Sequence, residues 1–181
     1  SDKIESKTWS VEHIPAKKDE SYSPNPNLKR TNVLIVPKNF MYYGKEGSFS
    51  DWKEYGEWVS SRLLSKKEDL SEVSKQKFIS LTKNANSDQE KARNLYDYLQ
   101  KNARYISIQI GIGGLEPFPA SEVDRLGYGD CKALTNYMKS MLSAVNIPSY
   151  YCIVEAGRRK ESFNATFANV QDGNHVILCI P

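Results

Sequence analysis

"GYGDCKALTNYMKSMLSAVNIP", residues 127 to 148, decides how this chain is to be read. Two glycines and an aspartate stand directly before Cys131. An apolar stripe of Leu134, Met138, Met141, Leu142 and Val145 at helical spacing follows, and "NIP" ends the run. A cysteine that opens a helix sits among unpaired backbone N–H groups at the positive end of the helix dipole. That position favours thiolate over thiol at neutral pH, and hence a nucleophile. When such a sulfur attacks a carbonyl, its own backbone N–H can meet the developing oxyanion. Gly127 and Gly129 are expected to supply backbone angles that other residues resist and to leave room for a substrate. The competing reading makes Cys131 a small core residue near a helix start, since cysteine is common in cores. The glycine and aspartate context argues against it.

A thiolate nucleophile is usually served by a histidine base. The chain has two. His13 lies in an N-terminal arm and reads as a surface residue. His175 opens "HVILCI", a predicted strand that follows a polar loop, so its ring is expected at a sheet edge where a cleft can form. Cys131 and His175 are thus the candidate catalytic residues. Gln109 alternates with the isoleucines of "YISIQI" and is the candidate second oxyanion or substrate contact, weighed against a plain solvent-facing role. Three cysteines with no CxxC argue against a disulfide framework or a structural zinc. Cys152 and Cys179 fall mid-strand and read as structural. Cys179 shares a strand face with His175 but lies about 13 Å away at ~3.3 Å per residue, too far for one metal. No metal and no cofactor are expected. A redox-sensing role for Cys131 would need one of these mid-strand cysteines as resolving partner, which their placement disfavours.

Composition narrows the setting. The 181 residues are 39% hydrophobic and 26% charged, values of a folded chain with one ordinary core. A net charge of +3 does not point to nucleic acid or a membrane surface. Lysines interleaved with acids, as in "SRLLSKKEDLSEVSKQK", read as a solvated face. No apolar run approaches the ~20 residues of a membrane span, and "SDKIESK" lacks the pattern of a secretory signal. No membrane insertion is expected.

Along the chain, residues 1–48 read as an extended arm punctuated by Pro15, Pro24, Pro26 and Pro37, with strand-like runs "KTWSVEH" and "TNVLIVP". Trp9, Val11 and the run 33–36 are expected to dock elsewhere. A core domain over 49–181 begins with three helices. The first is capped by Ser50 and has Trp52, Tyr55, Val59 and Leu63 on one face. The second, "SEVSKQKFISLTK", carries a weaker stripe of Val73, Phe78 and Leu81. The third opens on a Ser87/Glu90 capping box with Ala92, Leu95, Tyr96 and Leu99 inward. A strand over "RYISIQIGIGG", a turn with helical character from Ser121, the cysteine helix and two strands, "SYYCIVEAG" and "HVILCI", complete an α+β order.

"YGDCKALTNYMKSMLSAVNIPSYYCIV" followed by "NHVILCIP" resembles the bacterial transglutaminase-like domains of the papain-like cysteine enzyme superfamily. The resemblance covers about Trp52 to Pro181 and is strongest from Tyr105 onward. It implies a papain/transglutaminase-like fold with an antiparallel sheet packed against the cysteine-bearing helix. It also implies Cys131 as nucleophile, His175 as general base, and a protein or peptide substrate. "WSVEHIPAKKDESYSPNPN" is similar to the tail of a β-rich domain of unknown function that often precedes such domains in bacterial envelope proteins, which implies a periplasmic or envelope setting. Two departures stand out. Ala133 occupies a position where many relatives carry an acid. The third member of the family triad is an Asp on the strand after the His strand, and Pro181 ends the chain before any such strand. A chain truncated at its C-terminus is therefore expected, and strand geometry would put Asp172 on the wrong side of the His175 ring. A missing orienting carboxylate can cost on the order of 10⁴ in rate, so the fragment itself is expected to be weak or inactive. Cross-linking, deamidation and proteolysis all stay open. So does a non-catalytic binding or scaffolding role in the cell envelope.

Overall fold

The structure is a computed structural model that describes residues 6–16, 18, 21–22, 31–157 and 163–181. Pro24 and Pro26 of the expected arm, and residues 158–162 of the polar loop, lie outside the described residues. The chain divides into two units, 1–32 and 33–181. In the first, the described residues form no helix or strand, and Trp9 and Val11 are exposed.

The second unit starts sixteen residues earlier than the boundary expected at 48/49, because a hairpin belongs to it. "TNVLIVP" forms no strand. The strands are β1, Asn39–Tyr42, and β2, Lys45–Ser48, paired antiparallel. Tyr43 and Gly44 both adopt positive φ, at 47° and 79°, which suits the two-residue turn between them. The hairpin places Phe40 and Tyr42 against the first helix, α1, Trp52–Trp58. Asp51, not Ser50, caps α1, its Oδ1 accepting the Glu54 N–H at 2.7 Å. The helix then widens into a π-turn, Val59–Leu63. Together these two segments bury Tyr55, Trp58, Val59 and Leu63, an aromatic-rich cluster. Its rings meet at close range, as where Phe40 stands edge-on to Trp58 with centroids 4.8 Å apart.

The larger core is helical. In α2, Glu72–Thr82, only Phe78 of the expected stripe is buried, whereas Val73 is 82% exposed. In α3, Asp88–Asn102, Ser87 caps the Glu90 N–H as expected. Leu95 and Leu99 turn inward, and Tyr96 turns out. Ala120 and Val123 of α4, Ala120–Leu126, join them around α5, Cys131–Ala144. Met138, Met141 and Leu142 of α5 form the centre of this core. α5 is buried nearly all round, and its buried polar groups bond inside the protein except Asn136 Oδ1, which has no partner among the described residues. Thr135 Oγ1 donates to the Val176 carbonyl, Asn136 Nδ2 to that of Lys67, and Ser140 Oγ to that of Asn136.

The expected strand over residues 104–112 is almost absent. Arg104–Tyr105 forms β3 and pairs in parallel with β4, Tyr128–Gly129. Residues 106–110 then run irregularly into a 3₁₀ turn, Gly111–Gly114, and Ile106, Ile110 and Ile112 are exposed. The alternation mimicked a half-buried strand, but no partner strand lies beyond Tyr105 among the described residues. β5, Tyr150–Val154, and β6, His175–Cys179, pair antiparallel with Val154 opposite His175. β6 packs on α5 through Val176 and Leu178. Cys179, expected to be structural, is exposed.

Candidate active site

The first residue of α5 is Cys131, and its approach is built by short-range contacts. α4 ends at Gly127, which takes φ 69° as the left-handed C-cap and returns its N–H to the Val123 carbonyl. β4 then bonds to β3, Arg104 N to Gly127 O at 2.9 Å and Ile106 N to Gly129 O at 3.0 Å. A Cβ on Gly129 would lie 2.8 Å from the Ala133 Cβ. The two glycines thus serve the α4 cap and the close approach of β4 to α5, which corrects the expectation that they make room for substrate.

Asp130 caps α5, its Oδ1 accepting the Ala133 N–H at 3.0 Å. Its other oxygen accepts from the Lys132 ammonium, in an ion pair whose side chains are 5% and 6% exposed. A lysine is almost never this buried without a partner. Sequence reasoning missed Lys132; the signal available was an acid and a base flanking the one cysteine that opens a helix. Tyr105, held opposite Gly129 by the β3–β4 register, lies beside the same spot. Partial desolvation, and after it the neighbouring Cys131 and Asp130, push its phenol above the ordinary value.

Cys131 is buried but lines a cavity of about 260 Å³. Gln109, Lys132 and His175 line it too, although Gln109 reaches it from an irregular segment and not from a strand. The Thr135–Val176 hydrogen bond explains how His175 comes to be there. Thr135 is one helical turn from Cys131 on the same face, and Val176 adjoins His175, so this contact fastens the start of β6 beside the start of α5. Asp172 also lines the cavity. Strand alternation does not reach it, because β6 begins only at His175, and residues 172–174 form a turn instead. The Asp172 carboxylate accepts the Asn164 N–H at 3.1 Å, and its own N–H goes to Asn169 Oδ1 at 2.8 Å.

The opposite wall is hydrocarbon and phenol: Tyr55, Val59, Leu63, Leu115, Tyr151 and Ile153. Burial pushes the Tyr55 phenol up to about 12. Burial, then Cys131 and Asp130, push that of Tyr151 far up as well. Both stay neutral at any ordinary pH, so this wall carries no charge. Neither His13, which stands outside the cavity lining, nor any group of three or more metal-ligating side chains among the described residues offers a second centre. No described helix is long and apolar enough to cross a membrane.

Residues 75–178 match the transglutaminase-like superfamily, and the chain belongs to it. No curated protein matches the chain at a significant level. Among solved structures, a protein of Parabacteroides distasonis ATCC 8503 described as a "putative protease" superposes with a TM-score of 0.55 at 20% identity. The match covers 68% of this chain and 24% of that one, so the chain spans about a quarter of the length of its solved relative. The mixed helix and sheet arrangement is that of a transglutaminase-like fold.

Proposed function

We propose that the chain carries a cysteine acyl-transfer site in which Cys131 is the nucleophile, His175 the general base and Gln109 an oxyanion or substrate contact. The imidazole takes the thiol proton, and the sulfur forms a bond to the carbon of a peptide or glutamine amide. The C–N bond then breaks, and the leaving amine takes the proton back from the imidazolium. Water or an amine attacks the thioester and regenerates the thiolate. The Cys131 backbone N–H meets the oxyanion at each tetrahedral stage. The observation that supports this reading is that a cysteine opening a helix and a histidine opening a strand line one cavity. The description carried by the Parabacteroides distasonis neighbour favours water as acceptor, hence hydrolysis.

Alkylation separates this reading from a scaffold that merely keeps the fold. Cys179 is exposed and Cys131 buried, so a pair of inert thiols would react in the order Cys179 before Cys131. An activated Cys131 reverses that order: at pH 6.5, iodoacetamide followed by peptide mass spectrometry is expected to modify Cys131 first. His175→Ala should slow it about tenfold or more. Cys131 trailing Cys179 in the wild-type chain would sink the proposal.

A further inference from the structure

The apolar wall of the cavity is assembled by a device that a simple helix would not give. Tyr55 comes from α1, while Val59 and Leu63 are the first and last residues of the π-turn. A π-turn inserts an extra residue per turn and re-aims the side chains that follow, and such turns cluster at functional sites. Here Val59 opens the turn and Leu63, at its end, is the side chain re-aimed; both line the cavity with Cys131, as do Leu115 and Ile153. The remainder of this aromatic-rich cluster is densely filled by rings. The opening at its edge is therefore a local feature bordered by packed residues.

We infer that this wall is a specificity pocket that takes one aliphatic side chain of a peptide acyl donor, on the residue whose carbonyl Cys131 attacks. The inference rests on the acyl-transfer reading and adds a substrate class to it. The whole cavity, polar groups included, measures about 260 Å³, below the range of roughly 300–1,000 Å³ that drug-sized ligands occupy, so its apolar part has room for no more than a single side chain. The wall chemistry selects among side chains of that size. Val59, Leu63 and Ile153 return no hydrogen bond to a carboxamide, which recovers at most what the Tyr55 and Tyr151 phenols offer, whereas an aliphatic group loses none and removes apolar surface from water. A leucyl residue is favoured over a glutaminyl one of similar size, and an alanyl residue leaves the wall uncovered.

Peptidyl acyloxymethyl ketones that differ only at the residue next to the reactive carbon test this on the intact chain. The Cys131 sulfur bonds to the probe methylene carbon as the C–O bond breaks and the carboxylate leaves with its electron pair. The second-order labelling rate of Cys131, read by mass spectrometry, is expected to be at least tenfold higher for the leucyl probe than for the alanyl or glutaminyl probe. In Val59→Phe the leucyl-to-alanyl ratio should fall towards one. The wild-type series stands by itself should that variant fold poorly. Equal rates across the series, or a glutaminyl preference, overturn the inference, and so does iodoacetamide labelling of Cys131 without labelling by any peptidyl probe. These outcomes leave the nucleophile reading in place. Inertness of Cys131 to iodoacetamide overturns both.

Discussion

Asp130 does two tasks with two oxygens: one ends the ladder of α5 at the Ala133 N–H, the other neutralises Lys132. Both side chains are buried, so removing either leaves a charge without its partner, but the losses differ. Asp130→Ala strips the cap and strands an ammonium in a nearly dry site, and an uncompensated buried charge costs about 3–5 kcal/mol. Lys132→Met leaves the carboxylate still bonded to an N–H at a positive helix end, so its cost should be about half as large. Urea denaturation of the two variants checks the order; equal costs would mean that Lys132 is not held by this pair. A buried lysine next to the cysteine was invisible from composition, because the same residue type is solvated almost everywhere else along the chain. Cys131 itself was legible, since a helix start is a local property of residues 127 to 145.

Elements that are short or sit at turns departed most from expectation. Periodicity identified α2, α3 and α5, but it misassigned faces in α2, where Ser74 and Thr82 are buried in place of Val73 and Leu81. Of the apolar stripe Phe78 alone turns inward, and the tertiary partners decide the rest. The turn before β6 shows the same dependence. Gly173 has φ 113°, and a Cβ there would lie 2.6 Å from Ile153 Cγ2 and 3.0 Å from Phe163 Cζ. This turn brings Asp172 back to the cavity ahead of His175, so Gly173→Ala should strain it and cost about 2 kcal/mol or more. Gly56 has open space around it inside α1, and Gly56→Ala should stabilise by about 0.5–1 kcal/mol. Opposite signs in thermal or urea unfolding are expected; stabilisation by both substitutions would show that the turn before β6 is not tightly set.

The helical body is locked by one polar node. Asp124 of α4 accepts from Ser74 Oγ at 2.6 Å, Tyr137 Oη at 2.5 Å and Lys77 Nζ at 3.0 Å, so α2, α4 and α5 meet at one carboxylate. Lys77 also donates to Tyr98 Oη of α3 at 2.9 Å. Burial alone would raise the Asp124 carboxyl, but the hydrogen bonds from Ser74, Tyr137 and Lys77 outweigh it and hold the group below its ordinary value. A carboxyl depressed in the folded state stabilises above its unfolded value of about 3.9, and that contribution fades as pH falls through the folded value. Unfolding free energy should therefore drop below about pH 4 in the wild type. In Asp124→Asn the chain should be less stable at pH 7 by about 1.5–3 kcal/mol and lose less on acidification. Parallel pH profiles for the two proteins would remove Asp124 from the account.

By itself the sequence determined the three helices ahead of residue 104, the two last strands, the helix that opens at Cys131, and the pair of residues worth testing. Those are local consequences of caps, glycines and apolar spacing, encoded within a few residues of where they act. Only the tertiary structure decided that Cys131, His175, Gln109 and Asp172 line one cavity, that Lys132 is buried, and that a π-turn supplies part of the apolar wall. Each of these depends on residues far apart in the chain meeting in space. No periodicity along the chain carries that information; it resides in which buried surfaces exclude water together.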